Sequence, residues 1–533
     1  MLNQLSRVIS MFLILVVGLT ITGYFVLAQD ESLDTYVVFN HVDMSNPRTS
    51  GIYTVNVNGS NGPLQLTNDQ LETSNHTFVH SPDNNSIYYT GQMSGVIHAY
   101  LDGSDPVVMS QPNTRSGRGR YVISPNGQNV VLRGSTFTAG SMNILITTSS
   151  DTGAGTIIYE GSGILENFEV TPDSNYVIFQ DSDGHGGYNL FQIPIMGGEA
   201  LQLNPRLAAG GSVVGFVLSP TGEEVVYVAD QNFDDVFEFF AVSIQGGEAI
   251  PLSSGIDLGN RYIPKRFQIT PDGQHVIFNG NLEGRRHLFS VPISGGEAVQ
   301  LSEGIPARVT RFHITSDSQR VVFVGNQGDL YSASVIGGDT ILLAEVNDIE
   351  GFSIAPDNSR VLYMIPLPGY SHAINIVDIN GGEPIQLTPD NLRPLSDSLP
   401  YSEEKRWAQP IAVISPDSRF LVFAAEDQNN IPGVYSVSLN GGDVVQLNDR
   451  PGSRDFNVFV TITADSQYAI YILDQEFARV SDIYSVPIQG GDVVRLTTDE
   501  IVSTGSNATA IALVPQGNTW IPLICNDTAL PYC

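Results

Sequence analysis

Short apolar runs separated by turn-forming residues recur along most of the chain. Ile269–Ser302 (ITPDGQHVIFNGNLEGRRHLFSVPISGGEAVQLS) shows the pattern, with the runs HVIFN and HLFSVPI set between the turns PDG and GGE. These runs are short, rich in β-branched and aromatic residues, and bounded by Gly and Pro, as is typical of β-strands. Beyond the N-terminal segment, no stretch keeps the 3.6-residue apolar period of a helix. The pattern therefore predicts an all-β chain.

Two phrases repeat in alternation. The first, of the type SPDG followed by an apolar strand, occurs nine times, and successive copies lie 40 to 60 residues apart. The fourth residues of the copies are Asp83, Asn126, Asp173, Thr221, Asp272, Asp317, Asp357, Asp417 and Asp465. The second phrase is an apolar strand ending in GGE or GGD, as in LFSVPISGGEAVQL. The alternation defines a repeating unit.

Each unit is predicted to hold four strands. In the first turn, Pro fixes φ, Asp accepts hydrogen bonds from its own backbone, and Gly supplies a positive φ. The Gly-Gly pair forms a hairpin between the third and fourth strands, where positive φ is again needed. Repeated four-stranded units of this length are typical of a β-propeller. One such sheet cannot cover both of its faces, but blades packed around an axis bury them in series.

About ten units can be counted, whereas common propellers have about four to eight blades. No linker divides the array, so we favour one closed ring, with two rings as the alternative. The first unit, from Thr35, starts at its second strand, and Ala508–Leu523 supplies an extra strand after the last unit. We expect the two ends to meet in one blade, which would leave no open sheet edge. The predicted propeller spans residues 35–523.

The repeated sentence SPDG…vvF…lYsv…GGe…qLT resembles the TolB-type propeller repeat, a relative of WD40 repeats. It is also similar to the propeller domains of dipeptidyl peptidases and prolyl oligopeptidases. The likeness covers residues 35–523. We expect neither the small α/β domain that precedes the TolB propeller nor the hydrolase domain of the peptidases. The resemblance implies a binding scaffold that acts in the cell envelope or outside the cell.

The charge of the chain narrows the choice of partners. The formal net charge is −32, and Lys265 and Lys405 are the two lysines. Binding to nucleic acid depends on cations that contact phosphates, so a nucleic-acid partner is disfavoured. A basic protein, a cationic ligand or Ca²⁺ fits such a charge better, although acidity also keeps exported proteins soluble. No cofactor is predicted, and Ca²⁺ is the one cation considered.

The two ends of the chain carry signals of export. Residues 1–28 combine Arg7 with an uncharged apolar run, Val8–Leu27, which predicts either a cleaved signal peptide or a retained membrane anchor. We favour the signal peptide, because Val26 and Ala28 suit a cleavage site. Cys525 and Cys533 lie in the terminal tail, residues 524–533. A disulfide between them is expected outside the cytoplasm, with free thiols or a metal pair as alternatives. The protein is therefore expected in the periplasm, on the cell surface or in the extracellular space.

Acidic loops are the first candidate sites. Asp181 and Asp183, in DSDGHGGYN, resemble half of a Ca²⁺ loop, but His185 and Gln192 depart from the full ligand pattern. An Asp/Gly-rich connection without a metal is the alternative. Acids in Asp230–Asp235 and Glu426–Asn430 are expected around the same rim.

The insertion from Pro389 to Gln409 is the second candidate site. It carries Tyr401, Lys405, Arg406 and Trp407, and exposed aromatic residues beside Arg are typical interface anchors. Packing of Trp407 on a neighbouring blade is the alternative.

No catalytic motif is found, so no catalytic residue is predicted. The expected function is a non-catalytic scaffold, outside the cytoplasm, that binds a protein or peptide. The alternatives are a glycan-binding surface protein and a hydrolase or lyase with its site at the propeller channel, using rim acids such as Asp181.

Overall fold

The structure is a computed structural model. It describes residues 36–514 apart from 44–50, 61, 68–77, 92–94, 110–113, 116–120, 137–142, 165–166, 259–266, 306–308, 310, 326–327, 347–348, 350, 368–370, 396–411, 450–457, 474–481 and 498–505. This part of the chain is all-β, as predicted, and contains no helix of the length and apolarity needed to cross a membrane.

The strands fall into ten antiparallel sheets, which we number as blades 1–10 in chain order. Blade 1 contains β1 (Tyr36–Asp43), β2 (Gly51–Asn56) and β3 (Leu64–Gln65). Blade 2 contains β4 (Phe78–His80), β5 (Ser86–Gly91), β6 (Gly95–Tyr100) and β7 (Val107–Val108). Blade 3 contains β8 (Thr114–Arg115), β9 (Tyr121–Ile123), β10 (Asn129–Thr136), β11 (Asn143–Ser149) and β12 (Gly155–Gly161). Blade 4 contains β13 (Phe168–Val170), β14 (Tyr176–Ser182), β15 (Tyr188–Pro194) and β16 (Leu201–Gln202). Blade 5 contains β17 (Val213–Leu218), β18 (Glu224–Phe233), β19 (Val236–Ser243) and β20 (Ile250–Pro251).

The second half of the chain repeats the arrangement. Blade 6 contains β21 (Phe267–Ile269), β22 (His275–Leu282), β23 (Arg285–Pro292) and β24 (Val299–Gln300). Blade 7 contains β25 (Arg311–Ile314), β26 (Arg320–Val324), β27 (Leu330–Ser334) and β28 (Ile341–Ala344). Blade 8 contains β29 (Gly351–Ile354), β30 (Arg360–Leu367), β31 (Ser371–Asp378) and β32 (Ile385–Gln386). Blade 9 contains β33 (Arg393–Pro394), β34 (Ala412–Ile414), β35 (Phe420–Glu426), β36 (Pro432–Ser438) and β37 (Val445–Gln446). Blade 10 contains β38 (Phe459–Ile462), β39 (Tyr468–Leu473), β40 (Asp482–Pro487) and β41 (Val494–Arg495), and the last strand is β42 (Ser506–Val514).

The ring closes through blade 1, as the sequence predicts. β42 pairs antiparallel with β1, with Val38 opposite Ala512, so the two ends of the array share one sheet in the order β3-β2-β1-β42. Ten apolar clusters fill the ten junctions between successive blades. One of them joins Val37 and Phe39 of blade 1 to Ile470 and Ile472 of blade 10. The protein is therefore a single ten-bladed β-propeller, and the two-ring alternative is wrong.

Burial on both sheet faces explains the continuous apolar runs of the sequence. In β18, Val225 and Tyr227 pack in the cluster shared with blade 4, whereas Val226 and Val228 pack in the cluster shared with blade 6. Successive strand residues point to opposite faces, so a strand buried on both sides needs an apolar residue at every position. The inner strands are less buried, since β21 and β34 each bury their first residue and leave the other two half-buried. Among the described strands, β21 and β34 each pair with one neighbouring strand, β22 and β35.

The SPDG-type turns form as predicted and also join neighbouring blades. Gly273 adopts a φ of 73°, but Ser318 occupies the same place in blade 7 with a φ of 62°. The Ser318 hydroxyl accepts a hydrogen bond from the backbone N–H of Asp272 in blade 6, at 2.9 Å. Ser418 accepts in the same way from Asp357, at 3.0 Å. This inter-blade bond offsets the steric cost that a residue other than Gly meets at positive φ.

The Gly-Gly pairs have positive φ, as predicted, and they also allow close packing between blades. Gly295 and Gly296 adopt φ values of 89° and 129°. A Cβ added to Gly295 would lie 2.6 Å from Ile250 Cγ2 in the outer strand of blade 5. Equivalent glycines of the other blades also meet the outer part of the preceding blade: Gly59, Gly103, Gly153, Gly197, Gly246, Gly337, Gly381, Gly441 and Gly490. The repeated glycine is therefore required at the blade junction as well as in the turn.

Candidate binding face

Backbone hydrogen bonds define two faces of the ring. On one face, the first turn of each unit contacts the Gly-Gly turn of the same blade, as in the bond from Ile293 N–H to Gln274 O, at 2.9 Å. On the other face, the end of the second strand contacts the connection that enters the blade, as in the bond from Asn281 N–H to Asp257 O, at 2.7 Å. We call these the turn face and the variable face.

The turn face is nearly identical from blade to blade. In blades 2–10, the last residue of the inner strand pairs with the residue seven positions later, as Ile269 does with Val276. Loops on the variable face differ in length. In blades 5 and 6 they are two-residue turns, at Asp234–Asp235 and Glu283–Gly284. Five-residue loops, 183–187 and 427–431, join the same strands in blades 4 and 9.

Asp181 is a buried structural acceptor on the variable face. Its Oδ1 accepts hydrogen bonds from the backbone N–H groups of Gly163 and Ser182, at 2.8 and 2.9 Å, and its Oδ2 accepts one from the Tyr159 hydroxyl, at 3.0 Å. Burial, together with the Asp181 charge, raises the pKa of Tyr159 to about 12. Three donors therefore hold this carboxylate between blades 3 and 4.

Asp183 has a local role in its loop. Its Oδ1 accepts from the backbone N–H of His185, at 2.7 Å, and of Gly187, at 3.0 Å. These bonds, that from His185 first, lower the pKa of Asp183 below its ordinary value. Asp427 of blade 9 repeats the arrangement with Ile431, at 2.9 Å, and the pKa of Asp427 is lowered mainly by that bond. Asp183 thus lies in an exposed turn whose backbone amides donate to its carboxylate, and the Ca²⁺ assignment of Asp181 and Asp183 remains a prediction.

The acidic side chains that cluster on the variable face belong to blade 5. One carboxylate oxygen from each of Asp230, Asp234 and Asp235 lies within 4.8 Å of the other two, and Asp230 is buried. Both oxygens of Asp230 already accept hydrogen bonds, from Ser212 N–H at 2.6 Å and Asp235 N–H at 3.1 Å. Ca²⁺ takes about six to eight oxygen ligands. These three side chains alone provide too few oxygen ligands for a complete Ca²⁺ coordination shell, but they create a local negative potential.

The start of the inserted segment packs on blade 9. Arg393 in β33 forms an ion pair with Glu426 of β35, at 3.3 Å, and Leu392 joins the apolar cluster between blades 8 and 9. The four predicted interface residues Tyr401, Lys405, Arg406 and Trp407 lie outside the described residues. So do Cys525, Cys533 and residues 1–28. Those assignments remain predictions.

One exposed apolar pair on the variable face was missed by the sequence analysis. Phe233 and Val236 face each other across the Asp234–Asp235 turn and are 69% and 51% exposed. Paired residues of a hairpin project to the same sheet face. The signal was present in the sequence NFDDVF, since two apolar residues that flank a two-residue turn lie side by side. The sequence analysis considered only the acidic residues of this loop, Asp230–Asp235, and so did not identify the pair.

The chain is similar in structure to several solved proteins. No protein-family profile and no curated protein matches the chain. Among solved structures, a eukaryotic initiation factor is 13% identical, with 78% of this chain and 96% of that chain covered, at a TM-score of 0.50. A protein assigned as TolB from Agrobacterium tumefaciens is 17% identical, with 53% and 83% covered, at 0.27. Oligogalacturonate lyase from Vibrio parahaemolyticus is 15% identical, with 62% and 83% covered, at 0.36.

Proposed function

We propose that this propeller is a non-catalytic scaffold that binds a protein or peptide on its variable face, outside the cytoplasm. The observation that carries the proposal is the contrast between the two faces. Nine turns of one face keep the same length, whereas loops of the other face differ in length and in side chains. Loops held on a rigid framework are where binding residues concentrate.

The state of Asp181 favours binding over catalysis. A rim acid that served as a general acid or base would need a carboxylate oxygen free to reach a substrate. Asp181 is 5% exposed and accepts hydrogen bonds from three donors of the protein itself. Its contribution is to fix the position of the variable-face loops.

The proposed location is supported by residues 1–28, which have the composition of a signal peptide or anchor, and by the net charge of −32. Protease treatment of spheroplasts, in which only the cytoplasmic membrane is intact, tests it directly. We expect the propeller to be cleaved, or recovered from the surrounding medium, while a cytoplasmic marker protein survives. Protection of the chain until the cytoplasmic membrane is lysed would contradict export.

Site-specific photo-cross-linking tests the binding role. Benzoylphenylalanine is placed at His185 or Gln428, both exposed on the variable face, and for comparison at Gln245 or Gln489, both exposed on the turn face. In native extracts, we expect a discrete protein adduct from the variable-face positions and none from the turn-face positions. Adducts from the turn face alone, or retention of carbohydrate without protein, would contradict the proposal. Turnover of an extract component that is lost in Asp181→Asn would favour an enzyme instead.

A further inference from the structure

The β18–β19 hairpin of blade 5 ends in an apolar tip that the fold does not use. β18 is the longest strand of the described residues, with ten residues, and it carries the chain to the two-residue turn at Asp234–Asp235. Phe233 is 69% exposed, and its cross-strand partner Val236 is 51% exposed. Elsewhere in these two strands, Val226, Val228 and Phe239 are fully buried. The tip therefore exposes apolar surface at considerable cost, where the same strands otherwise bury it.

Hydrogen bonds within the hairpin, and from the hairpin to the connection between blades 4 and 5, hold the tip in place. Asp230 accepts from Asp235 N–H and from Ser212 N–H, as described above. The backbone N–H of Ala208 donates to Gln231 O at 2.9 Å, and Asn232 Nδ2 donates to Glu238 Oε2 at 2.8 Å. A surface fixed in this way loses little conformational entropy when it binds a partner.

The charges around the tip select the partner. Asp230, Asp234 and Asp235 bring three carboxylates within 4.8 Å, and Glu238 lies on the same hairpin. Within the described part of the chain, none of these three aspartates forms an ion pair with Lys or Arg. Complementary charge across an interface sets specificity and increases the association rate. An apolar pair inside an acidic rim complements a segment with apolar and basic residues.

We propose that the tip Asn232–Val236 is the docking site for a basic amphipathic segment of a protein partner. Phe233 and Val236 contact the apolar side chains of that segment, and the three aspartates contact its lysine or arginine side chains. Exposed aromatic residues on a rigid support are the side chains that most often dominate binding energy. This inference rests on the proposed function and assigns that function to one hairpin.

Blade 6 offers a matched comparison within the same chain. Its hairpin also ends in a two-residue turn, Glu283–Gly284, with Leu282 paired to Arg285. Leu282 is 40% exposed, but its cross-strand partner is a cation where blade 5 has Val236. Leu282→Ser therefore removes exposed apolar surface from an equivalent hairpin whose turn carries Glu283 where blade 5 has Asp234 and Asp235.

The experiment measures binding of a labelled peptide of leucine and lysine by fluorescence anisotropy, with the full chain in low and physiological salt. We expect Phe233→Ser to weaken binding about tenfold or more, and Leu282→Ser to change it less than about twofold. Asp234→Asn combined with Asp235→Asn should weaken binding and reduce its salt dependence. A peptide of serine and lysine, with equal charge, should bind the wild type as weakly as the leucine–lysine peptide binds Phe233→Ser.

A charge-matched control separates specific docking from general attraction to an acidic protein. Glu248→Gln combined with Glu297→Gln removes two exposed carboxylates from the turn face, and binding should be unchanged. If the glutamate double variant loses as much peptide affinity as the aspartate double variant, the proposal is wrong. So would an unchanged affinity of Phe233→Ser, provided that thermal unfolding shows each variant to be folded.

Two further outcomes are decisive. If millimolar Ca²⁺ raises the melting temperature of the wild type but not of the aspartate pair, and also displaces the peptide, the cluster is a cation site and the proposal is wrong. If the native adduct formed from Gln428 persists in Phe233→Ser, the scaffold function stands and the assignment to this hairpin fails. Loss of that adduct in Phe233→Ser but not in Leu282→Ser supports both the scaffold function and its assignment to the blade 5 hairpin.

Discussion

Gly59 of blade 1 lies against Val494 of blade 10, so closely that a Cβ on the glycine would come within 2.8 Å of Val494 Cγ1. The two residues belong to opposite ends of the repeat array. Gly59 also has a φ of 69°, a value that other residues adopt at a steric cost. Turn geometry and ring closure therefore require a glycine at the same position.

Gly59→Ala is expected to lower the free energy of unfolding by about 1–3 kcal/mol, because it adds both backbone strain and the contact with Val494. Gly62→Ala is the control, since a Cβ there meets no atom within 4 Å. Chemical denaturation of both variants measures the difference. Equal stability of the two variants would show that the Gly59 contact adds nothing to closure.

Removal of the closing strand should cost far more than removal of the tail beyond it. Truncation before Ser506 deletes β42 and leaves β1 without its antiparallel partner. Truncation after Val514 keeps that pairing. We expect the shorter protein to melt at a markedly lower temperature and to aggregate through the open β1 edge. Calorimetry and light scattering compare the two, and matching behaviour would contradict closure by β42.

A buried ion pair in blade 10 replaces a neutral pair found in blade 4. Asp482 is fully buried and accepts from Arg495 Nη2, at 2.9 Å. The equivalent positions of blade 4, by strand register, hold Asn189 and Gln202, whose side chains hydrogen-bond at 3.3 Å. Arg495→Gln alone should cost about 1–3 kcal/mol, because it leaves a buried carboxylate without its cation.

Adding Asp482→Asn to Arg495→Gln recreates the blade 4 pair and should restore most of that loss. A double-mutant cycle in urea measures the coupling energy between the two positions. The double variant should unfold at a higher urea concentration than Arg495→Gln alone. If they unfold at the same urea concentration, the charge of Asp482 does not depend on Arg495 for its stabilisation.

His80 should make the fold sensitive to mild acid. Burial lowers the pKa of His80 from 6.5 to about 4, and neither ring nitrogen has a hydrogen-bond partner among the described residues. The unfolded chain therefore binds this proton more readily, and stability should fall as pH decreases from 6.5 toward 4. His80→Phe removes the effect, so its unfolding free energy should decline less over this range, by about 1–3 kcal/mol. Parallel pH profiles for the two proteins would contradict this assignment.

Most of the fold could be predicted from the repeated pattern of turns and apolar strands. Asp272, Gly273 and the Gly295–Gly296 pair reveal their turns because the backbone conformation there depends on local residue type. The positive φ of Ser318 could not be predicted from residue type, because it is accompanied by a hydrogen bond from Asp272 of another blade. The closing strand could be predicted because the first unit lacks an inner strand in the sequence itself.

The candidate face was less predictable, because its geometry comes from contacts between blades. Asp181 and Asp183 are close in sequence, yet one is buried between blades and the other stabilises its own exposed loop. The cluster around Asp230 depends on the turn that returns Asp235 beside it. Neither arrangement follows from residue spacing alone, and the exposure of Phe233 follows only from where its hairpin ends.

The pairing of Val38 with Ala512 also has a consequence for biosynthesis. The two residues are 474 positions apart (512 − 38), so the blade begun first is the last to be finished. A nascent chain exposes the edge of β1 until nearly every residue has left the ribosome, and closing so long a loop carries an entropic cost. Chaperones that shield strand edges would thus be needed mainly before synthesis of this protein ends. A premature stop codon late in the gene would yield a propeller that cannot close.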